Sequence, residues 1–213
     1  MGLILVFDLD QTIASPAGDN DIIVNDKIIE ILGVIQRANL RGNGVDAIFL
    51  LTNNSSAEYI KWIDGFLLEQ TKSIGKFKGG DDYPEDDYFF DYIMDYNNST
   101  RNGDRLTKSL NNIKVMVDKA GIEYITDKDL LTRIYFFDDL DHVIKDELAA
   151  DGLGNQYIKI TPPLEFKKKD LTDYNPIYAA IRNLMRRKAG GKRSCYKKRR
   201  TLRKLRTTKK RRV

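Results

Sequence analysis

The apolar positions of this chain fall into two kinds of pattern, short unbroken runs and longer stretches with helical spacing. LILVF at residues 3–7 and VDAIFLL at 45–51 are near-continuous apolar runs of strand length, as expected for parallel strands buried on both faces. RIYFFDD at 133–139 reads as a third strand and YIKI at 157–160 as another, and FFDYIM at 89–94 is also strand-like. Between them, NDKIIEILGVIQRANLRGNG sets Ile28, Ile31, Leu32, Ile35 and Ala38 on one helical face. Asn25 is its N-cap, and Gly42 and Gly44 its stop. In TNNSSAE, Ser55 and Glu58 have the spacing of a capping box that opens a second helix. LTKSLNNIKVMVDKAG aligns Leu106, Leu110, Ile113, Val117 and Ala120, with Gly121 placed to end that helix. HVIKDELAADG reads as another helix, and NPIYAAIRNLMRR as a last one with Asn175 as N-cap and Pro176 in its first turn. Strands alternating with helices of about 10–15 residues predict an α/β fold, a parallel sheet with helices on both faces.

Composition narrows the class. With 213 residues, 41% of them hydrophobic, the chain can bury one sizeable core. No stretch approaches the roughly 20 apolar residues that span a bilayer, so no integral membrane segment is expected. The N-terminal apolar run lacks a basic flank and meets acids at once, unlike a secretory signal. Val6 stands where a myristoylation signal needs Ser or Thr. A lone Cys195 excludes an internal disulfide and a cysteine metal cluster. The expected setting is an intracellular, reducing compartment, cytoplasmic or nuclear.

The formal net charge of +5 conceals a division of sign. Residues 182–213 hold 17 of the 36 Lys and Arg and none of the 31 Asp and Glu, so the first 181 residues carry a net charge of −12. The expected organisation is a folded domain over 1–181 followed by the end of the last helix and a basic tail over 182–213. With few large apolar residues, the tail is expected to be disordered when alone. It is a candidate for nuclear localisation and for binding nucleic acid or another polyanion through phosphates. Anionic membrane surfaces and the acidic loop of its own body at Asp81–Asp87 are further partners to consider.

Candidate chemistry lies where the strands end, because open parallel sheets bind ligands beyond the carboxyl ends of their strands. Asp8 and Asp10 follow the first run, Thr52 and Asn53 the second, and Asp138 and Asp139 the third. Four carboxylates brought together repel one another unless a cation sits among them. Hard oxygen donors of this kind suit Mg²⁺ with a phosphate oxygen. The cation would also let one carboxylate act as a nucleophile toward phosphorus.

In order and at these spacings, DLDQT at 8–12, LLTNNS at 50–55 and FFDD at 136–139 resemble the haloacid dehalogenase superfamily of aspartate-based phosphatases, over roughly residues 3–160. The resemblance implies a Rossmann-like three-layer α/β/α sandwich. It implies that Asp8 is the nucleophile and Asp10 the general acid and base. Thr52 and the backbone around Asn53 would bind the phosphoryl group. Asp8, the carbonyl of Asp10, Asp138 and Asp139 would hold Mg²⁺. A catalytic and phosphate-binding lysine is also implied, with Lys108 the first choice and Lys128 in TDKDLL the second. Gln11 replaces the glycine of many members, as in capless protein phosphatases, and His142 falls where relatives hold the lysine.

The 44 residues from Asp8 to Thr52 and the 56 from Thr52 to Lys108 leave no room for a large cap. An open site favours bulky phosphorylated substrates such as phosphoproteins. The expectation is therefore a capless, magnesium-dependent phosphatase working through an aspartyl-phosphate. The alternatives are a polynucleotide end phosphatase and, outside enzymes, a nucleic-acid-binding protein with a slow site. A compact domain with such a basic terminus also resembles proteins of large DNA viruses.

Overall fold

The computed structural model describes residues 2–16, 22–72, 87–98, 107–161 and 170–188. The chain divides into two compact units, Met1–Ile177 and Tyr178–Val213. The described part of the second, 178–188, continues a helix that runs over 175–188. Most of the basic tail, most of the acidic loop at 81–87 and Leu106 lie outside the described residues.

The first unit is built on strands β1 (Leu3–Phe7), β4 (Val45–Leu51), β5 (Tyr92–Met94), β6 (Ile134–Asp138) and β7 (Tyr157–Lys159). Among the described residues these form one sheet in the order β5-β4-β1-β6-β7, with every pairing parallel. A short antiparallel hairpin, β2 (Ala14–Pro16) with β3 (Ile22–Val24), follows β1. The helices are α1 (Asp26–Arg37), α2 (Ala57–Thr71), α3 (Leu110–Lys119), α4 (Asp127–Leu131) and α5 (Val143–Ala150).

Side chains alternate across a strand, and both sets are buried. Ile4, Val6, Ala47, Phe49, Leu51, Tyr92, Met94, Ile134 and Phe136 share a core with Ile113, Met116 and Val117 of α3, Leu130 of α4, and Ile144 and Leu148 of α5. The alternate residues Leu5, Phe7, Ile48, Leu50, Ile93 and Phe137 are equally buried. α1 and α2 pack on each other and bury Ile28, Ile31, Leu32 and Ile35 with Ile60, Ile63 and Leu67, so they cover this second face. Helices on both faces of a parallel sheet make a Rossmann-like α/β architecture. Among the described residues no helix is long and apolar enough to cross a membrane.

Element ends differ from the sequence expectation in informative ways. α1 begins on the Asn25 cap as expected, whose side chain accepts from the N–H groups of Lys27 and Ile28. It ends at Arg37, well before Gly42. Asn39 takes a left-handed φ of 50°, the Asn39 N–H donates to Gln36 and the Leu40 N–H to Ile35. This turn places Leu40 in the core, and asparagine tolerates that conformation better than most residues. The same motif closes α3, where Gly121 stands at φ 65° as expected.

The cap of α2 is Ser56, whose hydroxyl accepts from the Tyr59 N–H, and not Ser55. Asn54 moves the register by one, because its side-chain oxygen already accepts the Ser56 N–H. The helix over 175–188 includes Asn175, whose N–H donates to the carboxylate of Asp173, two residues before the expected Asn175 cap. The short helix α4 is an element that the apolar spacing does not predict.

Candidate active site

The sheet register sets the site. Phe7 pairs with Leu50 on one side and with Phe137 on the other, so Asp8, Leu51 and Asp138 lie level. The Asp8 N–H donates to the Phe137 carbonyl at 2.9 Å, which extends the β1–β6 ladder up to the acids. From β1 the chain builds β4 and β5 on one side and then returns to build β6 and β7 on the other. The ends of β1, β4 and β6 therefore flank the crevice where a parallel sheet reverses its winding.

Lys108 enters this crevice from the residue before Ser109, the N-cap of α3. Its backbone is fixed from α5: the Ile144 N–H donates to the Lys108 carbonyl at 3.1 Å, and the Glu147 carboxylate accepts the Leu110 N–H at 2.7 Å. Its ammonium is 1% exposed and lies 2.6 Å from both Asp8 Oδ1 and Asp138 Oδ2. A buried cation survives only with such partners. Lys128 is 72% exposed and pairs with Asp151 at 3.4 Å. Of the two sequence candidates, only Lys108 reaches the strand ends.

Asp138 is fully enclosed. Its Oδ1 accepts the Leu140 N–H at 2.8 Å, its Oδ2 accepts from Lys108, and Nε2 of His142 lies 3.5 Å from that same Oδ2. His142 thus faces the carboxylate that holds the lysine, one step removed from the lysine itself. Burial raises the Asp138 carboxyl, but His142 and the Lys108 ammonium outweigh it and hold it below the usual carboxylate range. Asp8 goes the other way: burial pushes it up more than Lys108 pulls it down, and the Asp138 charge adds to the rise. Asp139 is half-buried and is also raised, by burial and then by Asp138.

One carboxylate oxygen from each of Asp8, Asp138 and Asp139 lies within 4.8 Å of the others. All the donors are hard oxygens. With all three ionised, the single ammonium of Lys108 leaves a charge of −2, so the donor set fits a hard divalent cation. The Asp10 carboxylate is not part of this trio.

Asp10 lies within a tight turn in which Gln11 takes a left-handed φ of 56° and the N–H groups of Thr12, Ile13 and Ala14 all face the Leu9 carbonyl. Its carboxylate receives the side-chain amide of Asn54, at 3.1 Å to Oδ1 and 3.0 Å to Oδ2. Burial raises its pKa, with Asn54 and Lys108 opposing. Thr52 is buried at the end of β4. Its N–H donates to Met94, and its hydroxyl accepts the Asn54 N–H at 3.1 Å. Asn53 lies half-buried between them.

Two buried hydroxyls border this region without a hydrogen-bond partner, Thr12 Oγ1 and the Tyr59 phenol. Tyr59 is pushed up to about 12, by burial first and by the Asp10 charge second. Asn54 and Tyr59 are the residues that the sequence reading missed. The Asn-Asn doublet after a strand signals a turn, but which amide points back across the crevice depends on the fold.

Compared with protein-family models, with curated proteins and with solved structures, the chain matches none. Fold and site together define a class: a Rossmann-like α/β protein with a buried lysine between carboxylates at the switch point of its sheet.

Proposed function

We propose that this protein is a magnesium-dependent phosphomonoester phosphatase of the haloacid dehalogenase type. The observation that carries the reading is the placement of Lys108 between Asp8 and Asp138, with Asp139 alongside, at the carboxyl ends of β1 and β6. Asp8 is the nucleophile: its carboxylate attacks phosphorus, the ester oxygen leaves with a proton from Asp10, and an aspartyl-phosphate results. Asp10 then takes a proton from water as that water attacks phosphorus, releasing inorganic phosphate and restoring Asp8. Lys108 offsets the charge of the nucleophile and the incoming phosphate, and the backbone around Thr52 and Asn53 receives the phosphoryl oxygens. Asp8, Asp138 and Asp139 would hold the Mg²⁺, together with the Asp10 carbonyl. When bound, the ion neutralises the phosphate and the acids around it.

The half-exposed Asp10 and Asp139 favour a bulky substrate such as a phosphoprotein. The run of 17 basic residues over 182–213 favours a second reading, a polynucleotide end phosphatase whose tail holds the nucleic acid. A nucleic-acid-binding protein with a slow site is the third.

The test is hydrolysis of an aryl phosphate with and without Mg²⁺, using Asp8→Asn as control. The expected result is metal-dependent turnover that Asp8→Asn reduces to background. Inert wild type, or a variant as active as wild type, overturns the proposal. A phosphopeptide and a 3′-phosphorylated oligonucleotide then separate the two substrate classes. Salt-sensitive DNA binding by an inert protein supports the binding reading.

A further inference from the structure

Asn54 uses every hydrogen-bonding group it has. Its N–H donates to Thr52 Oγ1 at 3.1 Å, and its carbonyl accepts the Tyr96 N–H at 3.3 Å. Its side-chain oxygen accepts the Ser56 N–H at 2.7 Å. Ser56 N–H is a donor only, so the oxygen of the amide must face it and the NH₂ group must face the other way. That NH₂ lies 3.1 and 3.0 Å from the two oxygens of Asp10, across 44 residues of sequence. The amide therefore cannot flip, and its donor end has one destination.

We infer that Asn54 is the positioning residue for the general acid, holding the Asp10 carboxyl so that its proton faces the departing ester oxygen. The inference rests on the phosphatase reading above and adds a residue that the reading does not use. The NH₂ reaches both oxygens of Asp10, so it fixes the plane of the carboxyl while each oxygen keeps a second lone pair that can carry the proton toward the ester oxygen. The opposing Asn54 Oδ1–Ser56 bond stops the amide from following Asp10 if that side chain swings. The three other bonds anchor Asn54 to the end of β4, to the segment after β5 and to the start of α2, so Asp10 is held from the sheet as well as from its own turn.

The consequence depends on the leaving group. An aryl oxygen departs as a stable anion and needs little help, whereas an alkyl oxygen needs a proton in the transition state. The experiment measures kcat/KM, which reports the phosphate-transfer step, for an aryl and an alkyl phosphate in wild type, Asn54→Ala and Asn54→Asp. Asn54→Asp keeps an acceptor for the Ser56 N–H and so preserves the opening of α2, while removing the donor to Asp10. Both variants are expected to lose about 10²-fold on the alkyl ester and less than about 10-fold on the aryl ester. Equal losses on both esters, or no loss on either, overturn the role of Asn54 while leaving the phosphatase reading standing. Wild type inert on both esters overturns the reading and the inference with it.

Discussion

Gln11 carries a local backbone tension beside the site. It is a side-chain-bearing residue at φ 56°, between the two acids of DLDQT and the buried Thr12, and the left-handed region costs an L-residue about 1–2 kcal/mol relative to glycine. Glycine in the unfolded chain returns part of that through its greater freedom. Gln11→Gly is therefore expected to stabilise the protein by up to about 1 kcal/mol, read as a rise in the denaturant midpoint; an unchanged or lower midpoint shows that the glutamine side chain compensates for its backbone. Single residues also mark how much of the site is legible in the sequence. Asp8, Asp138 and Asp139 are readable because acids directly after an apolar run have no structural reason to be there. Lys108 is readable only through its resemblance to a family pattern, since a lysine before a helix is ordinary until the fold shows it buried. Asn54 is not readable at all: its role depends on Asp10 being brought beside it by the pairing of β1 with β4.

At the scale of elements, α2 does more than cover the sheet. Its Asp64 is buried, and its carboxylate accepts the Phe89 N–H at 2.9 and 3.1 Å and the Phe90 N–H at 3.1 Å. Arg41 approaches the same segment from the other side, donating to the Phe89 carbonyl and pairing with Asp91 at 3.0 Å, and Asp91 in turn accepts the Ile48 N–H. These buried charges anchor the entry to β5. Burial pushes Asp64 up to about 6, against the opposing Phe89 and Phe90 N–H groups. Between about pH 4 and 6 the native state holds a proton that the unfolded chain releases, so this residue makes stability fall as pH rises through that window. The loss amounts to at most about 3 kcal/mol. Urea unfolding of wild type and Asp64→Asn from pH 4 to 7 is expected to give a stability difference, wild type minus variant, that is largest near pH 4 and shrinks toward pH 6. A difference independent of pH contradicts this assignment. The apolar runs predict β1, β4 and β6 with little error because strands buried on both faces leave an unbroken signal. Cap positions shift by a residue because several hydroxyls and amides at 53–56 compete for the same N–H groups, and only the packed backbone chooses among them.

For the whole molecule, the site is a pocket of unbalanced negative charge within a body that is acidic overall. A divalent cation that binds the native trio and not the unfolded chain stabilises the protein by about 2.7 kcal/mol at a hundredfold excess over its Kd. Mg²⁺ is accordingly expected to raise Tm for wild type and to leave Asp139→Asn nearly unchanged, measured by thermal unfolding with EDTA as reference; equal shifts in the two proteins place the ion elsewhere. The alternation of strand and helix predicts the parallel sheet, yet the order β5-β4-β1-β6-β7 is not in that alternation, because strand order follows from how crossovers pack and not from the pattern of any one element.

The ladder between β1 and β6 joins Phe7 to Phe137, and Asp8 meets Asp138 only through it. On the ribosome, the first strand and its acids are made early and then wait for well over a hundred further residues before their partners emerge. Until then Asp8 stands at the end of an apolar run without the carboxylate that shares its lysine. The strand that brings Asp138 beside Asp8 and Lys108 is thus completed late relative to β1, and a product truncated before Ile134 lacks that arrangement whatever helices it has formed.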